Sequence, residues 1–240
     1  MMPELMQLKK DLRLAANAQK AALLARFFKT GVGEYGEGDK FLGVMVPQTR
    51  ALVRIYWQAI GLAEVKTLME SEWHEERLIA LFILVAKFKK ADGGQKEKIF
   101  RFYLANTKFI NNWDLVDLSA PNIVGEYLRG KDPAVIFKLA KSKNLWERRI
   151  AILATFTTIK YGDARLALEI AEILVNDKHD LIQKAVGWML REVGKRCSQD
   201  IEEEFLKRHA ATMPRTALRY AIERFNSGKR NYYLALHKSH

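Results

Sequence analysis

A tryptophan and an aspartate one helical turn apart, Trp113 and Asp117, are the first residues whose types and spacing suggest chemistry. At i and i+4, indole and carboxylate share a helix face. An indole face attracts a cation, and a carboxylate beside it can stabilise developing positive charge or take a proton from water. Asp117 is also the odd residue in an internal comparison. Five segments, RLIAL from Arg77, WDLVD from Trp113, RRIAI from Arg148, QKAVG from Gln183 and LRYAI from Leu218, start 36, 35, 35 and 35 residues apart. Their fourth slot holds Ala80, Val116, Ala151, Val186 and Ala221; their fifth holds Leu81, Asp117, Ile152, Gly187 and Ile222. An unpaired charge in a packed slot costs on the order of several kcal/mol. Asp117 therefore either faces an open groove or pairs with a neighbouring Lys or Arg, and Trp113 is either its companion or a core indole.

A second tryptophan sits among cations. In the helix expected over Leu181–Arg196, the apolar stripe is Ile182, Ala185, Val186, Met189, Leu190 and Val193. Lys184, Trp188, Arg191 and Lys195 follow at i, i+4, i+7 and i+11 and form a different face. Gly187 beside Trp188 permits close approach of another surface. A tryptophan in a cationic stripe fits a nucleic-acid contact; the alternative is a surface indole packed under lysine stems. Arg148, Arg149 and Lys160 on one helix, and Arg215, Arg219 and Arg224 on another, extend the basic series.

The elements that must position these residues are helices. Period-3.6 patterning runs almost end to end, and strand signals are nearly absent. Polar turns are expected at Lys141–Asn144, Tyr161–Asp163, Asn176–Asp180 and Cys197–Asp200, and Pro121 is expected to end or kink the short helix carrying Asp117. The period of about 35 residues predicts an all-α fold, an α-solenoid of antiparallel helix pairs of HEAT-like type with a concave basic groove. The expected organisation is a single domain over 1–240, with a less regular part at 1–70 and regular repeats at 71–226.

Composition narrows the function classes. Lys and Arg number 40 against 28 Asp and Glu, a net charge of +12, which points to a polyanionic partner. Hydrophobic residues at 49 % supply a core and exclude disorder. One cysteine, Cys197, excludes a disulfide framework or a multi-cysteine zinc site. The longest apolar run, Leu78–Ala86, is half of what a membrane span needs (about 20 residues) and predicts a buried core helix. The N-terminus lacks a signal-peptide pattern, so a cytoplasmic, nucleoid-associated location is expected. His74 is followed by Glu-Glu-Arg and does not complete HExxH, the glycine-rich loop Thr30–Lys40 lacks the GK[ST] of a phosphate loop, and His237 and His240 form an HxxH at the tail. No metal and no cofactor is expected.

The strings NNWDLVD (Asn111–Asp117), NLWERRIAIL (Asn144–Leu153) and DLIQKAVGWMLREVGKR (Asp180–Arg196), with LARFFKTG near residue 24, resemble the AlkD-type DNA alkylation repair proteins, HEAT-like-repeat DNA glycosylases acting on alkylated purines. The resemblance covers most of the chain. It implies Asp117 as the catalytic carboxylate and Trp113, Trp188 and Arg149 as substrate-binding residues. Arg148, Lys184, Arg191 and Lys195 are then candidate DNA contacts. The implied activity is monofunctional hydrolysis of the N-glycosidic bond of cationic N3- or N7-alkylated purines in double-stranded DNA, by a monomer that grips the duplex without a base pocket. The glycine-rich loop has no counterpart assigned by the resemblance. Two other readings stand beside it: a non-enzymatic HEAT-like scaffold that binds distorted DNA or a protein partner, and an RNA-binding solenoid, which lacks a base-per-repeat code.

Overall fold

The computed structural model describes residues 3–236, so the HxxH at His237 and His240 lies outside the described residues. Among the described residues all regular structure is helical; the only β-type pairing is an isolated bridge between Lys40 and Trp73. The chain forms two compact units, one ending at Ser119 and the other beginning at Ala120.

In the first unit, α1 (Pro3–Leu14), α2 (Ala18–Phe27), α3 (Val46–Tyr56), α4 (Leu62–Met69), α5 (His74–Lys90) and α6 (Gly93–Ala105) precede α7 (Trp113–Ala120). The expected core helix is α5. Its residues from His74 through Val85 are buried without interruption, including the polar first turn, because a helix apolar on all sides has no face to give to solvent. Helices α3, α4 and α6 pack around it.

The second unit begins with a π-helical turn at Pro121–Gly125, where proline removes a backbone donor, followed by α8 (Glu126–Leu128). It continues with α9 (Ala134–Ala140), α10 (Leu145–Ala154), α11 (Phe156–Lys160), α12 (Arg165–Leu174), α13 (Asp180–Arg196), α14 (Gln199–His209), α15 (Arg215–Ala221) and α16 (Ser227–Leu236). The four expected polar turns fall at helix junctions, with Asp180 opening α13 and Gln199 and Asp200 opening α14. One further break was not expected: the segment after Asn144 divides at Thr155, whose hydroxyl bonds back to the Ile152 carbonyl at 2.7 Å and competes with the helical ladder. Within this unit α10 and α15 flank α13, while α9, α12 and α14 pack behind them. This layering is consistent with an α-solenoid-like architecture.

Gly187 explains how closely α13 and α15 approach. A Cβ there would stand 2.3 Å from the Ala217 carbonyl oxygen and 2.6 Å from the Tyr220 Cβ. The surface this glycine admits is thus the protein's own helix α15. Gly187→Ala is expected to destabilise the protein by about 1–3 kcal/mol through overpacking. A drop in the urea midpoint with an unchanged slope would register it; an unchanged midpoint would mean that α15 yields freely.

Candidate functional site

Helix α7 places Trp113 and Asp117 as their spacing predicts. Leu115, Val116 and Ser119 are buried, while Trp113, Asp117 and Leu118 are half-exposed. All five residues of the fourth slot, Ala80, Val116, Ala151, Val186 and Ala221, are 0 % exposed. Of the fifth slot, Leu81, Ile152, Gly187 and Ile222 are buried, and Asp117 alone is not. Its carboxylate therefore occupies a position where the packed slot opens. Its negative charge is felt by Tyr103, whose fully buried hydroxyl meets Ser119 Oγ at 2.8 Å; burial first, and Asp117 after it, push that phenol up.

Trp113 belongs to an aromatic pile. Its ring stacks on Phe28 at 5.1 Å and meets Phe27 edge-on at 5.8 Å, while Phe28 lies against both Phe41 (5.1 Å) and His74 (5.0 Å). Phe27 is 63 % exposed. It extends the indole's surface toward solvent, and the sequence carried it only within the string LARFFKTG, with no role attached.

The sequence HEER at the start of α5, unremarkable as a metal motif, is the hub of the first unit. His74 Nδ1 faces Asp39 Oδ2 at 3.2 Å and Nε2 faces Asp114 Oδ2 at 2.9 Å. Glu75 accepts the backbone N–H groups of Leu42, Gly43 and Val44 at 2.9, 2.8 and 3.1 Å. Glu76 pairs with Lys9 and Arg13 of α1 at 2.8 and 2.9 Å. Arg77 donates to Asp39 Oδ1 at 2.5 Å and to the Ser71 carbonyl at 2.8 Å. Burial opposes ionisation of both acid and base here, yet the charges hold: His74 is raised to about 9 by Asp114 and Asp39 against the opposing Arg77, and Asp39 is held below the ordinary carboxylate range by His74, Arg77 and Asn112. The glycine-rich loop has its role in this: it carries Asp39 into the cluster. Both imidazole nitrogens face carboxylates, and among the described residues no group of three or more His, Cys, Asp or Glu is arranged to hold a metal.

In the second unit, the apolar stripe of α13 is buried as expected and Trp188 lies outside it, half-exposed and 6.4 Å from Phe156. The basic residues are more engaged than their sequence suggests. Arg149 is 5 % exposed, with Nη1 donating to the Leu181 carbonyl at 2.5 Å. Arg148 reaches Asp177 at 2.7 Å and the Ser142 and Lys143 carbonyls, both at 3.0 Å. Arg191 pairs with Glu223, and Lys184 with Asp180 at 2.8 Å. Lys195 is exposed.

The described residues are all-helical, carry an indole–carboxylate pair on α7, and belong to a chain with a net charge of +12. The family model described as DNA alkylation repair enzyme matches residues 8–225, and the chain belongs to that family. Its structure is similar to that of a protein described as a predicted DNA alkylation repair enzyme from Enterococcus faecalis, with a TM-score of 0.71 and 17 % sequence identity. The match covers 88 % of this chain and 97 % of that one, and shows that the two share a fold. A comparison with curated proteins found no match. No helix among the described residues is long and apolar enough to cross a membrane.

Proposed function

We propose that this family member is a monofunctional DNA glycosylase, acting as a monomer on cationic N3- or N7-alkylated purines in duplex DNA. The observation that carries the reading is Asp117, the one unburied residue of its slot, one turn beyond Trp113 on α7. Alkylation at N3 or N7 makes the purine cationic, so the C1′–N bond can break with its electron pair leaving on a neutral base. The acid that most glycoside hydrolases supply to the leaving group is then unnecessary. Asp117 stabilises the oxocarbenium ion and takes a proton from the water that adds to C1′, giving free base and an abasic site. The indoles of Trp113 in the first unit and Trp188 in the second are each of a type that attracts a cationic base, an interaction worth about 0.5–2 kcal/mol.

Phosphate contacts fall first to the exposed Lys195, and Lys184 would have to share its ammonium with Asp180. Arg148, Arg149 and Arg191 would add only the donors left over from their contacts within the fold. HEAT-like repeats of about 35 residues forming one domain, with a basic groove, complete the proposal.

The test is release of free base from a duplex containing N7-methylguanine, with uracil and 1,N6-ethenoadenine duplexes as neutral controls. Release confined to the cationic lesion is expected. Tight, salt-sensitive binding without release would overturn the reading in favour of a DNA-binding scaffold.

A further inference from the structure

The two residues that flank Trp113 are both tied, by side chains, to one buried His–Asp pair. Asp114 meets His74 Nε2 at 2.9 Å, and its other oxygen accepts the Leu115 N–H at 2.8 Å. Asn112 accepts the Trp113 N–H at 2.8 Å and donates to Asp39 Oδ2 at 3.1 Å, the same oxygen that faces His74 Nδ1. The indole itself stacks on Phe28, which lies 5.0 Å from the His74 ring. Trp113 is thus held through its backbone on both sides and through its ring, and all three routes lead to His74.

We propose that His74 is a positioning residue: acting through Asp114 and the Asp39–Asn112 bridge, it sets the angle and rotation of α7 and so the placement of Trp113 and Asp117. The catalytic half of this inference rests on the glycosylase reading above. A helix of eight residues has little stability of its own and takes its orientation from what it packs against. Apolar packing would hold such a helix as well or better for stability alone, whereas a buried ionic bracket fixes one geometry among several compact ones. The bracket is also fully specified. Asp114 faces His74 from α7, Asp39 from the glycine-rich loop, Arg77 from α5 itself, and the Phe28 and Phe41 rings cover the imidazole at 5.0 and 4.6 Å. With side chains fastened at positions 112 and 114, a rotation of α7 that re-aims Asp117 would break hydrogen bonds at both.

The experiment uses the full chain labelled with 5-fluorotryptophan, in native form and as Asp114→Asn and His74→Gln. The Trp113 fluorine resonance is identified by its loss in Trp113→Phe. In DNA-free protein the Trp113 resonance is expected to shift or split in both variants, while those of Trp57, Trp146 and Trp188 stay in place. Single-turnover base release is expected to fall by about ten- to a hundred-fold, with the dissociation constant for duplex DNA within about two-fold of native. Asp114→Asn preserves an acceptor and the shape of the side chain, so it decides the matter if His74→Gln does not fold. An unmoved Trp113 resonance in Asp114→Asn, or a release rate reduced only in proportion to the folded fraction, would overturn the proposal. If the native protein releases no base, the fluorine spectra still decide the positioning role, and only the glycosylase reading falls.

Discussion

Asp117→Asn is expected to leave binding of alkylated duplex DNA intact and to lower the single-turnover rate of base release by roughly 10²–10³-fold. That is the range found when one transition-state electrostatic partner is removed. Asparagine keeps the shape and some hydrogen-bonding capacity of the side chain but not the negative charge. It therefore loses both the stabilisation of an oxocarbenium ion and the capacity to accept a proton from water. Because Asp117 is half-exposed on α7 while its neighbours Leu115, Val116 and Ser119 carry the packing, the fold has little reason to change. Tyr103 is expected to respond, because it loses a nearby negative charge that helps to raise its phenol. Duplex affinity is expected to stay level or rise slightly, since a carboxylate that opposes phosphate is gone. The measurement is single-turnover release from N7-methylguanine duplex beside a binding isotherm. A variant rate within about two-fold of native would move the chemistry to another residue.

Asp117 is legible in the sequence because the chain supplies its own comparison: one carboxylate among four apolar or small counterparts at a slot that is otherwise buried. The turns at Lys141–Asn144 and Asn176–Asp180 are legible for the ordinary reason that polar clusters interrupt apolar periodicity. The break at Thr155 is not, because a threonine that bonds back to its own helix looks the same in sequence as one that does not. Basic residues are the least legible. A guanidinium in a cationic stripe reads as solvated, but Arg149 spends a donor on the Leu181 carbonyl and Arg148 braces Asp177 and two carbonyls.

The HEER hub escapes a sequence reading for a different reason. Its partners, Asp39, the backbone at 42–44, Lys9, Arg13 and Asp114, lie some 30 to 70 residues away along the chain, and no local motif records such pairing. A signal is nevertheless present. Four consecutive polar residues open a helix whose next nine, Leu78–Ala86, are apolar on every side. A helix without a solvent face buries its first turn too, so those four side chains have to find partners.

The charge on His74 should make stability depend on pH between about 6.5 and about 9. In the unfolded chain an imidazole titrates near 6.5; in the fold His74 is raised to about 9, because Asp114 and Asp39 outweigh the burial and the Arg77 charge that oppose protonation. Between those values the folded state holds a proton that the unfolded state has released, so stability falls as pH rises. Below the unfolded value both states are protonated and the contribution is complete; above about 9 both are neutral and it is gone. A shift of that size corresponds to about 3 kcal/mol, the scale of a roughly three-hundred-fold change in the folding equilibrium. Glu202 titrates in the same window, since burial, with Glu203 adding to it, pushes its carboxyl up to about 8 against Arg191. The native slope alone therefore mixes two groups, and the informative quantity is native minus His74→Gln, from urea unfolding at about pH 6 and about pH 9.5. The native protein is expected to lose about 3 kcal/mol more than the variant across that interval. Equal losses in the two proteins would mean that His74 sits neutral between its carboxylates at pH 6, and that the bracket around α7 is a hydrogen-bonded one without a charge.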